Sequence, residues 1–104
     1  MKIVAITACG AGIAHTYMAA EGLKKAAKAT GDEIRVEIQG AMGIEYPLTK
    51  KEIDEAALII FATNIGIRDR DRFSKNNIIE LDPGEFIANP IKAFQKAKKM
   101  AGFE

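Results

Sequence analysis

The segment MKIVAITACGAGIAHTYMAAEGLKK, residues 1–25, decides the fold because an apolar run passes through a short glycine-containing turn into a helix. Lys2–Ala8 is apolar and rich in β-branched residues, as expected of a buried strand. From about Ala14 to Ala29, alanines and Leu23 share one helical face and charged residues share the other. The segment therefore predicts a strand followed directly by a helix, which is the beginning of a βαβ unit.

The same alternation of strands and helices continues along the chain. Residues 33–39 (EIRVEIQ) alternate polar and apolar side chains. Residues 57–63 (ALIIFAT) are the most apolar run of the chain, which is typical of a central parallel strand. Thr49 and Glu52 have the spacing of a capping box for a second helix, which we expect to run to about Ala56. The remaining predictions are a helical turn at residues 68–73, a fourth strand at residues 76–82, and a last helix that begins at Asn89 and Pro90 and is closed by Gly102.

This order of elements predicts an α/β fold. We expect residues 1–104 to form a single domain with a four-stranded parallel sheet in the order 2-1-3-4, doubly wound, with helices on both faces. Ligands bind to such sheets at the carboxyl ends of the strands, where the chain order reverses. Three loops should meet there, at residues 9–14, 39–46 and 63–67.

Composition limits the possible classes of function. Lys and Arg number 15, Asp and Glu 14, and this near balance argues against a nucleic-acid-binding protein. No apolar segment approaches the roughly 18–20 residues of a membrane span, and no secretory signal precedes the first strand, so we expect a cytoplasmic chain. A single cysteine with a single histidine makes neither a disulfide nor a zinc site, and we expect neither a metal nor a cofactor.

The single cysteine lies at the predicted ligand-binding edge of the sheet. Cys9 ends the first strand, and a helix begins within about five residues. Backbone N–H groups at a helix N-terminus lack intrahelical partners, so they stabilise a thiolate and bind phosphate. Cys9 is thus the candidate nucleophile, and the candidate phosphate-binding residues are the six that follow it: Gly10, Ala11, Gly12, Ile13, Ala14 and His15.

Structural interpretations of these residues stay open beside the functional one. A free cysteine is often a small buried hydrophobe, and glycines after a strand often serve only the turn. His15 either hydrogen-bonds a phosphate on Cys9 or only packs in the first helical turn. Arg68, Arg70 and Arg72 alternate with aspartates and form either a solvated turn or a partner contact, and Met42 and Ile44 are candidate apolar contacts for a partner.

Several classes of protein have a turn of this kind after a strand, and most of them use a cysteine in it. A low-molecular-weight tyrosine phosphatase needs an arginine at the position of His15 and a separate acid, which residues 69–72 (DRDR) do not obviously supply. A thioredoxin-like enzyme needs a second cysteine nearby, and this sequence has only one cysteine. A flavodoxin-like nucleotide-binding protein uses the same turn without the thiol. The remaining option is a carrier, in which the cysteine takes a phosphoryl group and holds it for another protein.

Residues 7–23 (TACGAGIAHTYMAAEGL) resemble the signature of the fructose-family IIB domain of the bacterial phosphoenolpyruvate-dependent sugar phosphotransferase system. The resemblance extends to residues 36–49 (VEIQGAMGIEYPLT), to the apolar strand 57–63 and to the pair Arg72–Phe73. One departure is that Gly10 and Ala11 stand where the family commonly has proline and threonine. The loop therefore lacks one hydroxyl donor and is more flexible.

The resemblance implies a phosphocarrier. Cys9 would accept a phosphoryl group from a phosphohistidine of a IIA protein and become a phosphocysteine. It would then pass the group to a sugar, fructose or a related one, held by a membrane IIC protein. The chain would be cytoplasmic and peripheral to the inner membrane through IIC, with no nucleic-acid partner. A phosphatase-like enzyme and a degenerate, non-catalytic paralogue remain the alternatives.

Overall fold

The computed structural model describes residues 1–73 and 78–103. Within these described residues, five strands and four helices follow one another, together with a short 3-10 turn at Arg70–Arg72. In chain order they are β1 (Lys2–Ala8), α1 (Ile13–Thr30), β2 (Glu33–Gly40), β3 (Gly43–Glu45), α2 (Lys50–Glu55), β4 (Leu58–Thr63), β5 (Ile78–Leu81), α3 (Pro83–Ala88) and α4 (Pro90–Met100).

The strands form one mixed sheet in the order β3-β2-β1-β4-β5. Strands β2, β1, β4 and β5 are parallel and lie in the order that the sequence predicts, but β3 runs antiparallel to β2 at the edge. The prediction of four parallel strands was therefore wrong in strand number and in direction at one edge. Gly40 pairs with Gly43 across a tight turn, and a three-residue strand is too short to show an alternating pattern.

Helices cover both faces of the sheet, as predicted. On one face, α1, α3 and α4 pack against β1, β2 and β4 around the fully buried Phe86 and Phe94. On the other, Ile53 of α2, Leu48 and Phe73 cover Val4, Ile6, Ile59 and Phe61. Burial on both faces explains why β4 is apolar at every position before its last residue, Thr63.

Local capping signals placed several element boundaries correctly. Thr49 and Glu52 form the complete capping box of α2, and Gly31 closes α1 in the left-handed conformation. The predicted helical turn within 68–73 is the 3-10 turn, and the fourth strand is seen as β5, while its predicted positions 76–77 lie outside the described residues.

Helix α3 was not predicted. It has six residues and begins with Pro83 and Gly84, a composition typical of a turn, and the carboxylate of Asp82 caps it by accepting from the Gly84 N–H. Asn89 and Pro90 begin α4 as expected. None of the described helices is long and apolar enough to cross a membrane.

Candidate active site

The three predicted loops meet at the carboxyl ends of the parallel strands. They surround an open cavity of about 430 Å³, lined by residues from segments 8–16, 39–42 and 65–68. Because β1 lies between β2 and β4, the loop after β1 occupies the centre of this edge. Cys9 is the first residue of that loop and is only 8% exposed. The Cys9 thiol therefore lies at the cavity wall, at the carboxyl ends of the parallel strands.

Nitrogen atoms surround the sulfur of Cys9. The Ala11 N–H donates to Sγ at 3.3 Å, and the amide Nδ2 of Asn64 donates to it at 3.4 Å. His15 Nδ1 lies 3.1 Å from Sγ. Two of these contacts come from N–H donors, which stabilise negative charge when it develops on sulfur. The arrangement suits a nucleophilic thiolate.

The side chain of Asn64 bridges the cysteine and its loop. Its Oδ1 accepts from the Gly10 N–H at 2.9 Å while its Nδ2 donates to Sγ. The backbone N–H of Asn64 donates to the Ala8 carbonyl, which extends the pairing of β4 with β1. Asn64 lies in the loop 63–67 that was predicted to meet this edge, but Asn64 itself was not predicted as a site residue. The available signal was an amide side chain placed immediately after the central strand.

The six predicted phosphate-binding residues divide into two groups. The N–H groups of Gly10, Ala11 and Gly12 are engaged within the site, with Asn64 Oδ1, with Cys9 Sγ and, at 3.5 Å, with the Cys9 carbonyl. The N–H groups of Ile13, Ala14 and His15 belong to the first turn of α1, so no helical carbonyl precedes them as acceptor. N–H groups at a helix N-terminus are donors to which an anion can bind.

Gly12 sets the direction in which α1 begins. Its φ of +123° and ψ of 173° are conformations that other residues rarely adopt. The first helical bond runs from the Thr16 N–H to the Gly12 carbonyl, and the Thr16 hydroxyl donates to the same oxygen at 3.2 Å. Thr16 thus makes a local hydrogen bond within the first turn of α1.

A buried ion pair lies beside the cavity. Glu37 of β2 is fully buried, and Arg72 donates to its two oxygens at 2.8 and 2.9 Å. Burial raises the pKa of Glu37, but hydrogen bonds from Arg72, Gln39 and the Leu48 N–H outweigh burial and leave this pKa below its usual value. The carboxylate in turn raises the pKa of Arg72. Arg72 is therefore a structural residue, although residues 68–71 of the same charged run are exposed.

The described residues contain no group of three or more His, Cys, Asp or Glu side chains that could hold a metal ion.

Known proteins with related sequences share this architecture. The family described as "PTS system, Lactose/Cellobiose specific IIB subunit" matches residues 4–96. A PTS system fructose-like EIIB component 2 from Escherichia coli K12 is 47% identical over 81 residues, which are 78% of this chain and 76% of the relative. The chain belongs to the fructose-family IIB domains of the phosphotransferase system.

Two further relatives extend the comparison over nearly the whole IIB domain. The solution structure of an enzyme IIB subunit from Escherichia coli K12 superposes with a TM-score of 0.86, at 36% identity, covering 95% of this chain and 92% of that one. A PTS system fructose-specific EIIABC component from Bacillus subtilis is 42% identical over 96 residues, which are 92% of this chain but 15% of the relative. The resemblance of residues 7–23 to a fructose-family IIB domain is therefore confirmed.

Proposed function

We propose that this IIB domain carries a phosphoryl group on Cys9 between a IIA protein and a sugar. The donor is a phosphohistidine of IIA, and the acceptor is fructose or a related sugar held by a membrane IIC protein. The observation that carries the proposal is the position of the Cys9 thiol, which lies beneath an open cavity and before the N-terminus of an 18-residue helix. Residues 1–104 act as one phosphocarrier domain, cytoplasmic and peripheral to the inner membrane through IIC.

The first step is an in-line displacement at phosphorus. The Cys9 thiolate attacks, the S–P bond forms, and the P–N bond to the donor imidazole breaks with its electron pair left on nitrogen. The N–H groups of Ile13, Ala14 and His15 donate to the equatorial oxygens, where charge accumulates. In the second step a sugar hydroxyl attacks phosphorus and the O–P bond forms, while the hydroxyl proton is released to solvent. The S–P bond breaks with its electron pair left on sulfur, which restores the Cys9 thiolate.

Exposed apolar side chains around the cavity support the contact with partner proteins. Ile13, Met42 and Ile65 all line it, and their exposed fractions are 45%, 100% and 48%. Apolar side chains at the rim of a reactive cavity are suited to packing against another protein and excluding water during transfer. Met42 was singled out for this role from the sequence, whereas Ile44 is half-buried in β3.

The distribution of carboxylates favours a carrier over a phosphatase. A phosphatase needs an acid for the leaving group and a route for water to attack the phosphocysteine. Among the described residues, no Asp or Glu lines the cavity. We therefore expect the phosphocysteine to persist until a sugar hydroxyl reaches it, and we expect negligible turnover of an aryl phosphate.

The test of this proposal is labelling by a phosphorylated IIA domain of a fructose-type system, followed by intact-mass analysis and mapping of the modified residue. The expected result is one phosphoryl group on Cys9, absent from Cys9→Ser and retained by Thr30→Ala, a variant at the far end of α1. A label on His15, or sustained release of phosphate that depends on Cys9, would overturn the carrier mechanism.

A further inference from the structure

Arg68 is the only charged residue among the described residues that line the Cys9 cavity. A phosphoryl group in transfer brings about two negative charges into this space. Backbone N–H groups supply partial positive charge only, and His15 is already engaged with the sulfur. The cavity therefore has one full cation with which to balance the charge of its proposed cargo.

The backbone of Arg68 is fixed on both sides by a single amide side chain. The Arg68 N–H donates to Gln39 Oε1 at 2.8 Å, and Gln39 Nε2 donates to the Arg68 carbonyl at 3.1 Å. Gln39 is only 5% exposed, so its amide has little freedom to turn away. This pairing joins the loop after β4 to the end of β2 and holds residue 68 at the cavity wall.

Gln39 is itself oriented by the buried ion pair. Its Nε2 donates to Glu37 Oε2 at 2.8 Å, and Glu37 is held by both terminal nitrogens of Arg72. The two arginines therefore have different roles. Arg72 is neutralised by Glu37, whereas Arg68 has no carboxylate among its recorded partners in the described residues.

The guanidinium of Arg68 lies next to the phosphate-binding loop. Its Nη2 donates to the Gly40 carbonyl. Gly40 is in close contact with Ile13, because a Cβ built on Gly40 would lie 2.4 Å from Ile13 Cδ1. A guanidinium has five N–H donors, so the contact with Gly40 leaves others for an anion. Arg68 thus lines the same cavity as Ile13, the first residue of α1.

We infer that Arg68 binds the phosphoryl group in the Cys9 cavity and neutralises its charge during transfer. The inference rests on the carrier function proposed above and adds to it a residue from a distant loop. A cysteine phosphatase carries its arginine within the loop, at the position that His15 occupies here; this chain supplies the cation from the loop after β4. The hydrogen bonds that connect Gln39, Glu37 and Arg72 position Arg68 at the cavity.

The test compares Arg68→Gln, Arg68→Lys and the control Arg70→Gln. Arg70 belongs to the same charged run, but its guanidinium lies 5.0 Å from the Phe61 ring and it borders a different cavity. Two quantities are measured: the rate of Cys9 phosphorylation by phospho-IIA as its concentration is varied, and the dissociation constant of inorganic phosphate from the unphosphorylated protein by NMR titration. Thermal unfolding establishes that each variant is folded.

We expect Arg68→Gln to lower the maximal rate by about 10- to 100-fold and to weaken phosphate binding about tenfold. Arg68→Lys should recover part of both losses, because a point charge replaces a fork of donors. Arg70→Gln should stay within about twofold of wild type in both measurements, since its charge lies outside the cavity.

The outcomes separate the two proposals. Wild-type protein that is never labelled on Cys9, yet binds phosphate through Arg68, would overturn the carrier function and leave the anion site. Labelling of Arg68→Gln at the same maximal rate as Arg70→Gln would overturn the role of Arg68 and leave the carrier. A third outcome is that Arg68→Gln keeps the maximal rate and needs only a higher concentration of phospho-IIA to reach half of it. Arg68 would then be a docking residue, and the inference would also be overturned.

Discussion

The Cys9 sulfur contacts groups at very different distances along the chain. Ala11 and His15 lie two and six positions away, whereas Asn64 lies 55 positions away. The local contacts follow from a glycine-containing turn before a helix, so they could be anticipated from residues 7–16 alone. The Asn64 contact depends on the pairing of β4 with β1, which a pattern of residue types does not specify at the level of one side chain.

Asn64→Ala tests the role of this distant neighbour. The substitution removes a donor to Sγ and an acceptor for the Gly10 N–H, so we expect the transfer rate to fall about 5- to 20-fold. The control is Asn89→Ala, which removes the side-chain cap of α4 and should cost about 1 kcal/mol of stability without slowing transfer. Equal transfer rates for the two variants, measured by stopped reaction and mass analysis, would contradict a role for Asn64 at the sulfur.

Individual elements show which sequence signals are reliable. Helix α1 was predicted within one residue at each end because eighteen residues carry a sustained apolar face and Gly31 follows them. Strand β3 and helix α3 were missed because three and six residues are too few for a period to show. Their presence depends on particular turns: the tight turn at residues 41–42 and the Asp82 cap with Pro83.

The packing of α1 against α3 and the start of α4 depends on the absence of a side chain at Gly22. A Cβ at this position would lie 2.1 Å from the Phe86 carbonyl oxygen and 3.3 Å from Pro90 Cγ. Alanine in the middle of a helix normally stabilises it by roughly 1 kcal/mol relative to glycine. Here the obstacle is backbone, which cannot turn aside, so the steric cost should dominate.

We therefore expect Gly22→Ala to lower the free energy of unfolding by about 1–3 kcal/mol, opposite in sign to helix propensity. Lys25→Ala, at an exposed position of the same helix, serves as the control and should change stability by less than about 0.5 kcal/mol. Urea unfolding of both variants measures the difference. A Gly22→Ala protein that is more stable than wild type would show that α1 and α3 move apart at little cost.

Tertiary contacts bury a polar residue that the strand pattern alone predicts to be exposed. Burial alternates as predicted only over residues 33–36, where Arg35 remains exposed and pairs with Glu52 at 2.7 Å. Glu37 points to the same face but is fully buried, because Arg72 and Leu48 cover that end of the strand. Alternation predicts which side chains share a face. It does not predict that a 3-10 turn 35 positions away will cover one of them.

The ion pair between Glu37 and Arg72 should make the stability of the domain depend on pH. The pKa of Glu37 is lowered in the fold, so its contribution is complete above the pKa of an unfolded glutamate, about 4.3. As pH falls through the lower pKa of the folded state, the carboxylate is protonated and the contribution is lost. Below that range Arg72 keeps its charge but faces a neutral partner.

Glu37→Gln removes this contribution at every pH while keeping an amide of similar size. At pH 7 we expect a loss of about 3–5 kcal/mol, since Arg72 is left without its buried counter-charge. The deficit relative to wild type should shrink as pH falls below about 4.3, because protonation weakens the wild-type pair. Glu33→Gln, at an exposed position of the same strand, should follow the wild-type curve throughout. Urea unfolding at a series of pH values checks the sign: a deficit that stays constant or grows towards low pH would mean that Glu37 does not act as a carboxylate in the fold.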